Sequence, residues 1–75
     1  MNTGMLWLDD DSRRSFDDKI MRAAEYYQEK YGRFPELCLV NNKTLVEENK
    51  KVGRIEVQPT RMVLPHQFLL GMKAN

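Results

Sequence analysis

Most apolar residues of this chain sit in short runs broken by polar turns, and one longer stretch has a helical period. Between residues 15 and 31, Phe16, Ile20, Ala23, Ala24, Tyr27 and Tyr31 recur every three or four positions, while Asp18, Arg22, Glu25 and Glu29 take the opposite face. That stripe predicts an amphipathic helix. Ser12 or Ser15 can cap its start, and Ser15 with Asp18 resembles a capping box. Asp17 and Asp18 suit the positive end of the helix dipole. Gly32 is placed to end the helix, and Pro35 prevents it from resuming.

The remaining apolar runs are too short for helices and predict strands. Residues 5–8 are apolar and lead into Asp9-Asp10-Asp11. Residues 37–40 (Leu-Cys-Leu-Val) are apolar without alternation, as in a strand covered on both faces, and end at the turn formers Asn41-Asn42. Thr44-Leu45-Val46-Glu47 then reads as a capping box opening a short helix to about residue 51, with Gly53 as its stop. Residues 55–57 alternate as a half-buried strand does, and residues 58–61 signal a turn. Residues 62–64 predict another strand, interrupted by Pro65, and residues 68–72 a last one. Pro59 and Pro65 place these C-terminal strands at an edge or break them.

The expected order is β-α-β-α-β-β, with or without one further strand at the end, an α/β (α+β) domain with a small mixed sheet and the long helix on one face. The first two strands, joined through that helix, are expected to run parallel. The C-terminal strands, joined by short turns, are expected to be antiparallel.

Length and composition narrow the setting. Seventy-five residues make one small domain, 1–75, and a chain this short has a limited core. With 41% hydrophobic and 31% charged residues, the composition is globular rather than disordered. A single cysteine, Cys38, precludes an internal disulfide. Small secreted domains usually rely on several, so a reducing, cytoplasmic setting is expected. The only apolar stretch near the start, residues 5–8, is shorter than the roughly 7–15 residues of a signal-peptide core. The net charge of +1 is unevenly spread, residues 1–40 being slightly acidic and residues 41–75 slightly basic. The second half can therefore meet an acidic partner without requiring one.

Several residues are candidates for chemistry, each beside a plainer structural role. Asp9, Asp10 and Asp11 follow the first predicted strand, where open α/β sheets bind ligands. Asp9 and Asp11 are the pair that can share Mg²⁺, with Asn41 and Asn42 near the same crevice. The plainer role is a solvated turn leading into a helix. Arg33, Lys50, Lys51 and Arg54 form a candidate basic set, densest at Lys50-Lys51-x-x-Arg54, which with Tyr26 or Phe34 can contact phosphate and stack on bases. The plainer role is a solvated helix end. His66, the only histidine, can act as a general base and otherwise is a loop residue. Cys38, inside an apolar run, reads as a buried, inert thiol, and Tyr27 and Tyr31 as core. No dinucleotide or phosphate-loop glycine pattern, HExxH motif or nucleic-acid-binding signature occurs, and no cofactor is implied.

Residues 31–40, Tyr-Gly-Arg-Phe-Pro-Glu-Leu-Cys-Leu-Val, resemble a segment of short prokaryotic proteins of unassigned function, and residues 64–68, Leu-Pro-His-Gln-Phe, are similar to their C-terminal part. The resemblance covers about half the chain and implies no activity or site.

Three functional readings follow, in order. The first is a small interaction module that binds another protein or itself, with a homodimer expected. Residues 37–40 call for cover on both faces, yet the second helix is short, and the large apolar residues 68–72 are expected near a sheet edge. The second is a nucleic-acid-binding accessory protein using the basic second half. A metal-dependent enzyme built on Asp9 and Asp11 comes last.

Overall fold

The computed structural model describes residues 4–45 and 50–73. One helix packs on one face of a five-stranded mixed sheet. The strands are β1 (Gly4–Leu8), β2 (Leu37–Asn41), β3 (Lys50–Val52), β4 (Ile55–Thr60) and β5 (Gln67–Gly71), and the helix α1 is Phe16–Tyr31. The sheet order is β1-β5-β2-β4-β3. No helix among the described residues is long and apolar enough to cross a membrane.

α1 forms where the apolar stripe predicts it. Ser15 is its N-cap, with Oγ accepting from the Asp18 amide at 3.1 Å. Gly32 closes it in the left-handed region at φ 75°, its N–H donating to the Gln28 carbonyl at 2.7 Å. Ile20, Ala23, Ala24 and Tyr27 are buried. The two alanines let the helix lie close to the strands.

β1 and β2 run in the same direction, as expected of strands joined through a helix, but they are not neighbours. Both pair antiparallel with β5, which lies between them. β4 pairs parallel with β2 on its other side. β4 and β5 run in opposite directions, as expected of the C-terminal strands, but are separated by β2. The last strand is thus one in from an edge, beside β1, and the edges are β1 and β3.

Two elements differ from the sequence expectation. The second helix, expected over 44–51, is not the structure of its described parts. Thr44 lies in a turn, and Lys50 and Lys51 belong to β3, which forms a hairpin with β4. Residues 46–49 lie outside the described residues. Val52 and Ile55 close a two-residue loop with Gly53 at its first position and φ 61°, a backbone that glycine adopts without strain and that type II′ hairpins require. Gly53 therefore turns a hairpin rather than ending a helix. Residues 62–64 are not a strand, and residues 61–63 form a bend. There Val63 alone is buried, and its carbonyl accepts from Asn41 Nδ2 at 2.9 Å.

Leu64-Pro65-His66-Gln67 leads into β5 as a tight turn closed by Gln67 N–H to the Leu64 carbonyl at 3.1 Å. Pro65 occupies the second position and His66 the third, with φ 68°, as in a type II turn. A side chain at positive φ costs about 1 kcal/mol that glycine avoids. His66→Gly is therefore expected to be at least as stable as the wild type, and His66→Val less stable by about 1–2 kcal/mol. Urea unfolding of the two variants checks this, and the opposite order would contradict it.

The core lies between α1 and the facing side of the sheet. Met5, Cys38, Val40, Val52, Ile55, Val57, Phe68 and Leu70 are buried there with the helix stripe. Burial pushes the Cys38 thiol up to about 12, above its ordinary 9.0. Folding thus keeps the thiol protonated. The stability this represents is intact below pH 9 and falls as pH rises from there, because only the unfolded chain then ionises. A thiol reagent at pH 8 is expected to label Cys38 at least a hundredfold more slowly in native buffer than in denaturant. Equal rates would contradict its burial.

Candidate interaction surface

Paired residues of adjacent strands share a face of the sheet, and the pleat sends alternate residues to opposite faces. Trp7, Phe68 and Val40 are in register on the helix side. Leu6, Leu69 and Leu39 are in register on the other side, continued by Gln58 of β4. Leu8 and Leu37 flank that row on the same face. No described element lies over it. Leu6 is 58% and Leu8 66% exposed, and Leu37, Leu39 and Leu69 are half-buried among their neighbours. Antiparallel sheets with one wet face normally carry polar residues on that face. Here β1, β5 and β2, adjacent in the sheet, present leucine on it instead.

A polar margin bounds the patch. The outward residues of β4 are Glu56, Gln58 and Thr60, and that of β3 is Lys51, in register with Glu56. Lys73 Nζ meets Glu56 Oε2 at 2.9 Å, and its hydrogen bond holds the Glu56 carboxyl below its ordinary value. Beyond β4, the loop to β5 carries Met62 and Leu64, 92% and 62% exposed.

Asp9 and Asp11 come together, around an arginine. Asp9 Oδ1 accepts from the Asp11 amide at 3.0 Å, and Asp11 Oδ1 accepts from the Arg13 amide at 2.9 Å. These are local turns of the kind aspartate favours. Arg14 bridges both carboxylates, at 3.5 Å to Asp9 and 3.2 Å to Asp11. Side-chain hydrogen bonds from Arg13 hold the Asp11 carboxyl below its ordinary value. Among the described residues no group of three or more metal-ligating side chains gathers. Asn41 is occupied by the fold, its Oδ1 accepting from the Lys43 amide at 2.9 Å.

The basic set is brought together only in part. Arg33 and Arg54 line one cavity of about 500 Å³ with Phe34, Glu36 and Gln28 at the C-terminal end of α1. The Arg54 guanidinium lies 5.9 Å from the Phe34 ring centre. Lys50 and Lys51, consecutive on β3, point to opposite faces. Lys50 Nζ turns to the helix, 3.0 Å from Asp17 Oδ1 and 5.3 Å from the Phe16 ring centre. Lys51 lies on the open face.

Sequence reading passed over two features. Trp7 stacks on Tyr26 at 4.6 Å between ring centres, from a position at the margin of the helical stripe. Beside this pair, a groove of about 550 Å³ runs between β1 and α1, lined by Met5, Leu6, Trp7, Tyr26, Glu29 and Lys30. The four consecutive apolar residues 5–8 were its available signal.

No family model matches the chain, and neither a curated protein nor a solved structure is significantly similar to it.

Proposed function

We propose that this chain is a small interaction module of the cytoplasm that works by self-association, burying the leucine face of its sheet against the same face of a second copy. The observation that carries this reading is the uncovered row Leu6–Leu69–Leu39, flanked by Leu8 and Leu37. The patch is apolar across three strands, so an identical patch complements it without leaving a charge unpaired. Stacked sheets pack in this way about 10 Å apart.

Magnitudes set the strength of such a dimer. Covering partly exposed leucines contributes roughly 1 kcal/mol each, which is on the order of 10 kcal/mol for two copies. Association costs about 4–15 kcal/mol in lost freedom and ordering. Face packing alone therefore gives a weak dimer. Its signature is mass action: a partner that binds only the folded chain raises the melting temperature as concentration rises. The melting temperature is expected to climb by several degrees between about 5 and 500 μM protein. A melting temperature independent of concentration would contradict the proposal.

Arg33, Arg54 and Phe34 in one cavity favour a second reading, nucleic-acid binding. It ranks below the first because Lys50 and Lys51 are split between the two faces and the cavity lies at the negative end of α1.

A further inference from the structure

Among the described residues the sheet has two edge strands, and one of them is guarded against pairing. β3 is three residues long, carries Lys50-Lys51 and is tied to α1 through Asp17. Short length and lysines protect an edge from pairing. β1 is five residues long, Gly-Met-Leu-Trp-Leu, with no charge and no proline, and no described strand lies beyond it. Its free hydrogen-bonding groups can be assigned from the ladder. The Asp9 amide donates to the His66 carbonyl at 2.9 Å, continuing the β1–β5 register. In an antiparallel pair, bonded and non-bonded positions alternate. Asp9, Trp7 and Met5 therefore bond toward β5, and Leu8, Leu6 and Gly4 direct their N–H and C=O groups off the sheet.

We propose that β1 pairs antiparallel with β1 of a second copy about a twofold axis at Leu6, joining the two sheets into one of ten strands. In this register Leu6 faces the partner's Leu6, and Gly4 faces the partner's Leu8. All three outward positions on each strand are satisfied, by about six main-chain hydrogen bonds. Residue parity is preserved, so Leu6 and the partner's Leu6 make the two leucine rows continuous. On the helix side, the axis sets the β1–α1 groove against its own image. The neighbouring Glu29 and Lys30 on its rim then meet the partner's Lys30 and Glu29 with charges matched, over a floor of Met5, Trp7 and Tyr26.

This pairing rests on the self-association reading but uses a different surface, so the two can fail separately. The test introduces Leu6→Cys and Leu8→Cys one at a time, with circular dichroism confirming the fold, and exposes each to mild oxidant. Directly opposed bonded residues have Cα atoms about 5.5 Å apart, within disulfide range. Leu8 and the partner's Leu8 would be offset by roughly 13 Å along the strands. Leu6→Cys is expected to cross-link into dimer at least tenfold faster than Leu8→Cys, with buried Cys38 unreacted. In the unmodified chain, exchange of the Leu6 and Leu8 amides is expected to slow with concentration, which face packing alone would not cause. If the chain associates but the two cysteine variants cross-link equally, or these amides exchange freely in the assembly, edge pairing is wrong and self-association stands. A wild type of single-chain mass at every concentration overturns both.

Discussion

Leu70→Glu is expected to abolish the folded state. Leu70 is fully buried, in register with Met5 on one side and Cys38 on the other, on the side of the sheet that α1 covers. The substitution removes about 2–3 kcal/mol of apolar burial. It also sets a carboxyl in the apolar core beside Met5 and Cys38, at a cost of several kcal/mol more whether it stays charged or takes up a proton. A domain of this length has roughly 4–11 kcal/mol of total stability. Loss of the helical circular-dichroism signal and of a cooperative thermal transition is the expected result. A cooperative transition within a few degrees of the wild type would contradict the placement of Leu70 in the core, on a strand flanked by β1 and β2.

The second large effect comes from the opposite side of the same strands. Leu39→Glu places a carboxylate at the β2 end of the leucine row, between Leu69 and Gln58, where water still reaches it. The isolated fold is expected to tolerate this, with a change within about 1 kcal/mol, because the side chain can remain hydrated. Across a twofold interface the same change buries two like charges near one another, which costs several kcal/mol. Leu39→Glu is therefore expected to halve the mass of the assembly and keep the wild-type circular-dichroism spectrum. An unchanged mass would show that this face is not an interface, and an unfolded variant would show that Leu39 belongs to the core. The two substitutions are the same chemistry on neighbouring strands, and their outcomes separate according to the face each side chain occupies.

Much of this arrangement is legible in the residues. The helix is written in its 3.6-residue stripe, in Ser15 and in Gly32, because local periodicity and caps determine it. β2 and β5 follow from their apolar runs. The unalternating Leu37–Val40 segment indicates that both faces of β2 are apolar, which is the root of the candidate surface. Two local signals mislead. Thr44-x-x-Glu47 has the spacing of a capping box, and Gly53 also suits a helix stop, but Val52-Gly53-Arg54-Ile55 is equally a two-residue hairpin. With only Lys50 to Val52 in the strand, β3 is too short for alternation to decide between them. Residues 62–64 are as apolar as a strand, yet Pro65 and the anchoring of Val63 by Asn41 keep them from forming one. The insertion of β5 between β1 and β2 is not legible, because strand order depends on long-range pairing that no local pattern encodes.

The same limit applies to the candidate site. Single leucines can be read from the sequence. Their alignment into one row needs the register of three strands, two of which lie some sixty residues apart in the chain. The Asp9–Asp11 turn likewise reads as a possible cation site until the fold brings Arg14 onto both carboxylates.

Light scattering on the wild-type chain, from low to high micromolar concentration, tests self-association most directly. The expected result is a mass that rises with concentration to at least twice the 8.9 kDa of one chain, while a mass of one chain across the whole range would contradict the account.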